Sequence, residues 1–172
     1  MKKINIPIAA VERNKAWIQA VTETLKQDEK LAKKILHNCG KKCASQLLDA
    51  TIVHFGKVPS SIDELVKAIN IRRRDVLKAD TFWEKQDEQY RLILNKCSCD
   101  LVETGLATPN PVFCECSRGM FTEIFSKFWD GSIEVIIEKS IGRNDSICKF
   151  LVCLNREQNN SDNNRMNTDE GT

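Results

Sequence analysis

Histidine is scarce in this chain, two residues in 172, and neither His37 nor His54 has an acid or a second histidine at ligand spacing. Ser/His and Cys/His nucleophilic catalysis therefore have no convincing base. The phosphate-cradling glycine loop, the dinucleotide fingerprint, the nucleophile elbow and the His-rich metalloprotease helix are also missing. Aromatic residues make up only 6% of the chain, and none is interleaved with its one dense basic run, Arg72-Arg73-Arg74. That run reads as a phosphate contact or as a solvated helix face. The second is favoured because nothing nearby could stack on bases, and no nucleic-acid partner is expected. No stretch approaches the ~20 apolar residues of a membrane span, so no membrane partner is expected either. A formal net charge of only +2 excludes a disordered polyelectrolyte.

What the chain does have is enough apolar material for one core, 41% of residues, and an unusual eight cysteines. The start, Met1 to Glu12, has two lysines but an apolar stretch broken by Asn5 and Pro7, which makes a poor signal peptide. A cytoplasmic location with reduced thiols is the expectation. A chain of this size does not need disulfide staples.

Helical spacing dominates the first half. Apolar positions predict helices over 9–26, from Asp28 to about Leu36 with an end at Cys39-Gly40, from Lys42 to His54, and from a capping box at Ser61-Ile62-Asp63-Glu64 onward. The second half changes period. Gln89 to Cys97 reads as extended, with Phe82-Trp83-Glu84 as its hairpin partner, and Pro109 and Pro111 mark a loop. Ser117 to Trp129 returns to helical spacing. Ser132 to Glu138 and Ile147 to Leu154 are strands around a turn at Gly142-Arg143-Asn144-Asp145. The expected fold is α+β: N-terminal helices, then a C-terminal antiparallel sheet with one packed helix. It forms a single domain, 1–154, with a helical half (1–79), an α/β half (80–154) and a disordered tail (155–172).

The chemistry centres on cysteine. Cys97 and Cys99, and Cys114 and Cys116, form two C-x-C pairs. On a strand, residues two apart point to the same side, so each pair would present two sulfurs together. Cys148, at the start of the last strand, would point inward on the face of Phe150 and Val152. Thiolate is the soft ligand zinc prefers, and these five cysteines are the predicted metal ligands, with reactive thiols and plain packing as the alternatives. Cys153 reads as core filler. Cys39 and Cys43 are at least as well explained by packing as by function.

The segment Pro111-Val112-Phe113-Cys114-Glu115-Cys116-Ser117-Arg118-Gly119, with Gly131, Glu134-Val135, Glu138, Ser140-Ile141-Gly142 and Cys148-Lys149-Phe150, resembles the vinyl-4-reductase-type small-molecule-binding domain. That fold is shared with nitric-oxide-sensing haem domains and a Golgi-trafficking subunit family, and the resemblance covers roughly residues 80 to 154. The Cys114–Cys148 separation is similar to that of phenol-sensing activators in which both cysteines bind zinc beside an aromatic effector. The sensors' further glutamate and cysteine correspond here to Glu138, one residue out of register, and Ser140, so Cys97, Cys99 and Cys116 would have to substitute. The cysteine-rich version resembles a bacterial family. A weaker similarity to the L-2-amino-thiazoline-4-carboxylate hydrolase family implies an enzyme as the alternative.

Together these readings predict a sensor or carrier for a small apolar or aromatic ligand, more a binding protein than an enzyme, framed by a cysteine-held zinc. Trp83, Tyr90, Phe113, Phe121, Phe125 and Glu138 are the candidate pocket residues. With three thiolates and an open position, zinc would support hydrolysis of a small C–N heterocycle. A protein-interaction subunit using the helical half as a homodimer surface is the third reading.

Overall fold

The computed structural model describes residues 8–156. Of the expected tail only Asn155 and Arg156 fall within that range, and Asn155 closes the last strand. Three long helices come first: α1 (Ile8–Lys26), α2 (Glu29–Phe55) and α3 (Ile62–Asp75). They are followed by β1 (Trp83–Gln86), β2 (Gln89–Leu94), a single turn α4 (Asp100–Glu103), α5 (Pro111–Ser126), β3 (Ser132–Lys139) and β4 (Cys148–Asn155). A 3-10 turn at Ile141–Arg143 joins the last two strands. The sheet is antiparallel throughout, in the order β1-β2-β4-β3. The α+β architecture is as expected from the change of period.

The predicted helix break at Cys39-Gly40 does not occur. One 27-residue helix runs from the Asp28 cap, whose side chain accepts the Leu31 N–H at 2.9 Å, to Gly56 in the left-handed conformation at φ 84°. Gly40 is there for packing. A Cβ on it would lie 1.9 Å from the Cys116 carbonyl oxygen, and a Cβ on Gly119 would lie 2.1 Å from the His37 carbonyl oxygen. Two glycines thus let the α2 and α5 backbones touch, which no larger residue allows.

The start of α5 also differs from the sequence reading. Pro111 is the first residue of the helix, where its missing N–H costs nothing. Asn110 caps it by accepting the Val112 N–H at 3.0 Å. The proline thus opens the helix instead of marking a loop, and the helix begins six residues earlier than Ser117.

The cap at Ser61 holds: its hydroxyl accepts the Glu64 N–H at 3.2 Å. Glu64 reaches back to the Ser60 N–H at 2.7 Å and also pairs with Lys57, which lowers its carboxyl to about 2. Arg73, the middle of the basic run, is tied down. Its guanidinium donates to the Thr81 carbonyl at 3.0 Å and to the Thr81 hydroxyl at 3.1 Å, fastening the link from α3 to β1. Asn70 then bonds both the N–H and the carbonyl of Trp83 at 2.8 Å, so a side chain covers part of the sheet's β1 edge.

The core lies between the inner sheet face (Trp83, Tyr90, Leu92, Val135, Phe150, Val152) and the helices α2, α3 and α5. Both halves of the chain contribute to it. Burial falls on alternate residues in β2 and β4, the period-2 pattern of a sheet covered on one side.

Gly40→Ala and Gly119→Ala each force a methyl into the facing backbone. Urea unfolding of either variant is expected to show a loss of about 1–3 kcal/mol, the range for overpacking a tight contact. A change near zero would mean that the two helices are not in backbone contact.

Candidate functional site

The helical start of α5 rearranges the cysteines. Residues two apart on an α-helix are rotated by roughly 200° from one another, so Cys114 and Cys116 cannot act as a strand-like pair. Nor do Cys97 and Cys99 lie on a strand, because β2 ends at Leu94. Cys97 sits in the loop that follows, and Cys99 is at the N-terminus of α4. The strand reading is therefore corrected for Cys114 and Cys116, which the helix separates, while Cys97 and Cys99 lie outside β2 and still line one cavity together.

What replaces them is a small cavity of about 20 Å³ reached from four elements. The post-β2 loop brings Cys97, the α4 start brings Cys99, α5 brings Cys114 with Phe113, and β4 brings Cys148. Leu94 and Phe150 add apolar walls from the sheet. Cys148 is buried at 4% exposure, facing inward as its strand parity predicts. Beside this cavity an open depression of about 660 Å³ shares Cys97 and Val102 with it and is otherwise lined by Lys96, Glu103, Pro109 and Ile141.

A hydrogen-bond chain holds the Cys114 side of the cavity. The fully buried Ser140 hydroxyl accepts the Gly142 N–H at 3.0 Å and is hydrogen-bonded to Cys114 Sγ at 2.8 Å. The Cys114 thiol in turn faces the Asn110 carbonyl at 3.9 Å. The Ser140 N–H donates to Asp145 Oδ2 at 2.7 Å, and Cys148 Sγ accepts the Ile141 N–H at 3.4 Å. Burial raises the thiols of Cys99, Cys114 and Cys148; the hydrogen bonds to Cys114 and Cys148 act against that rise without cancelling it. These three sulfurs are therefore protonated near neutral pH.

Cys116 does not line the cavity. It packs on the small cluster of Leu25, Ala32 and Leu36 and meets Cys43 of α2, facing Cys99 and Cys39 as well. Burial, reinforced by those thiols, pushes it up to about 12. For Cys39 and Cys43 the sequence leaves packing and function open; because α2 continues through Gly40, the two lie four apart on one helical face at the crossing with α5.

Four of the predicted pocket aromatics are packed on one another. Trp83 meets Phe121 edge-on at 4.9 Å and Phe125 at 5.4 Å, and Tyr90 meets Phe125 at 5.6 Å, all within the core. Phe113 alone of the set lines the cysteine cavity, and exposed Glu138 pairs with Lys149 at 2.9 Å. Neither histidine is at the cavity: His54 lies 3.3 Å from Asp75, and His37 sits where α2 crosses α5.

As a donor set, the cavity suits a soft ion, since four cysteines line it in little space and the Ile141 N–H is directed at the Cys148 sulfur, although Ser98, Asn110 and Ser117 also add oxygens to the lining. Among the described residues, however, no three His, Cys, Asp or Glu side chains converge as metal ligands.

A four-stranded antiparallel sheet covered on one face by a helical layer defines an α+β domain. Trafficking protein particle complex subunit 3 from Naegleria fowleri, solved covalently bound to palmitic acid, matches with a TM-score of 0.56 at 14% identity, over 87% of this chain and 96% of that one. A vinyl-4-reductase family protein from Methanocaldococcus jannaschii matches more loosely, with a TM-score of 0.35 at 14% identity, over 88% and 83% of the two chains. None of the curated proteins matches the sequence. The chain belongs to the family of unknown function DUF6144, which matches residues 5–159.

Ser140→Ala removes the hydroxyl hydrogen-bonded to Cys114. The loss of that bond and of the turn's cap is expected to cost about 1 kcal/mol. The Cys114 thiol should move further up, so its alkylation at neutral pH slows and the pH–rate profile shifts to higher pH. An unchanged profile would show that the hydroxyl does not reach the sulfur.

Proposed function

We propose that the domain is a small-molecule sensor or carrier whose ligand occupies the open depression, with a zinc ion held by the thiols at its inner wall. The observation that carries this reading is the meeting of Cys97, Cys99, Cys114 and Cys148, from four separate elements, at one small cavity that opens beside a much larger one. Val102, Pro109 and Ile141 make much of the depression apolar, which favours a hydrophobic or aromatic ligand, while Lys96 and Glu103 pair at 3.4 Å along it. The fold likeness to a subunit solved with bound palmitic acid is compatible with an apolar ligand. Binding is preferred to turnover because no histidine or other evident base stands at the cavity.

An ion would have to displace protons from thiols raised by burial. Its affinity should therefore increase with pH across the neutral range.

A second reading, association of two copies through the helical half, is favoured by α1. This 19-residue helix buries only Thr22 and Leu25 and leaves Trp17 68% exposed. So little burial is a weak anchor for a helix in water.

Protein purified without added metal is expected to hold about one equivalent of zinc, and Cys114→Ala and Cys148→Ala should each lower both occupancy and melting temperature. Less than about a tenth of an equivalent, with the cavity thiols freely titrating, overturns the metal half of the proposal. Native mass spectrometry should detect a co-purifying small molecule, and a repeatedly empty site would favour the interaction reading. For that reading, Trp17→Lys should shift a dimer to monomer in size-exclusion chromatography with light scattering. Wild-type protein that is already monomeric at high concentration would dismiss it.

A further inference from the structure

The thiols outside the cavity form a second arrangement that the ligand-binding reading does not use. Gly40 lies against the Cys116 backbone where α2 and α5 touch, and one turn further along α2 Cys43 comes next to Cys116 across the two helices. The pair is asymmetric. Cys43 is exposed, whereas Cys116 is half-buried against Leu25, Ala32 and Leu36. One sulfur is open to a reagent and the other waits behind it.

We propose that Cys43 and Cys116 are a dithiol–disulfide redox site, oxidised by a low-molecular-weight disulfide, that staples α2 to α5. The Cys43 thiolate attacks one sulfur of the small disulfide, forming a mixed disulfide and releasing the first small thiolate. The Cys116 sulfur then attacks Cys43 Sγ, and its proton passes to the second small thiolate as that leaves. The protein loses two electrons and two protons, and one small disulfide becomes two small thiols.

Accessibility determines which sulfur starts the reaction, since a nucleophilic thiol must be reached. Half-buried behind Cys43, Cys116 is placed as the resolving thiol, which reacts once its partner carries the mixed disulfide beside it. Cys39 is the competing partner for Cys43, but it lies one turn away on the same helix. There Cβ atoms are about 5–6 Å apart, outside the roughly 3.5–4.5 Å that a disulfide requires. Only a partner on a second element can close the bond without unwinding α2. The staple would act on the turn of α5 that also carries Cys114, so the oxidation state of this pair would bear on how freely α5 moves over the cavity.

The full chain would be equilibrated in mixtures of glutathione and glutathione disulfide, quenched with an alkylating agent, and mapped by peptide mass spectrometry. The expected result is a Cys43–Cys116 cross-linked peptide that grows with the oxidised fraction while the other six cysteines stay alkylatable. Cys116→Ala should halt at a glutathione adduct on Cys43, and Cys43→Ser should abolish the cross-link. Circular dichroism would verify that both variants are folded. Cys114→Ala and Cys148→Ala should leave the cross-link intact, which separates this site from the proposed metal cavity. Oxidation that maps first to Cys39–Cys43 or to the cavity cysteines, or no cross-link in fully oxidised buffer, would overturn the proposal.

Discussion

Backbone contact between α2 and α5 is the constraint on which the rest depends. With hydrogen in place of a side chain at Gly40 and Gly119, the Cys116 carbonyl and the His37 carbonyl each sit where a Cβ would otherwise be. That closeness sets how deep α5 lies over the sheet, and so allows Phe121 and Phe125 to reach Trp83, Tyr90 and Phe150 in one aromatic cluster. It also sets the neighbours of every thiol on α5. The same two helices explain why a 27-residue helix tolerates a glycine at its centre: the conformational penalty of about 1 kcal/mol is offset by close packing along both backbones.

Helix rotation divides the cysteines into two groups. Cys114 turns toward the sheet and meets Ser140, near Cys97 and Cys148, while Cys116 turns toward α2 and meets Cys43. Cys99 faces both groups, lining the cavity and standing near Cys116. One helix therefore presents nearby thiols to two different settings, a small cavity beside an open depression and a semi-exposed helix crossing. Burial keeps both Cys114 and Cys116 in the thiol form, so chemistry at either waits on something that arrives from outside: an ion, a ligand or an oxidant.

Much of the architecture was legible because it rests on local signals. The Ser61 cap, the pairing of Trp83-Glu84 with the strand from Gln89, and the inward parity of Cys148 with Phe150 and Val152 all follow from a few consecutive residues, whereas the last helix stops at Ser126, three residues short of the Trp129 its spacing suggests. The misread positions share one cause. Gly40 looked like a cap and Pro111 like a loop marker because each residue type has two common uses, and the choice between them belongs to a partner far along the chain. For Gly40 the partner is Cys116; for Pro111 it is the turn at Gly142, which packs against Asn110. Arg73 is a milder case, since its bonds to Thr81 depend on the path of the link into β1.

By itself the sequence determined the fold class, the two periods, the order of most elements and the presence of an unusual thiol content. Each of these is written in residue type and short-range spacing. Which thiols are neighbours was decided only by the tertiary structure, because a C-x-C spacing faces one way on a strand and two ways on a helix. Cys114 and Cys116 were placed on a helix by an N-cap at Asn110, and given their separate partners by a glycine crossing with α2. Side-chain direction follows backbone conformation, and at this point in the chain the conformation is settled by what packs against it.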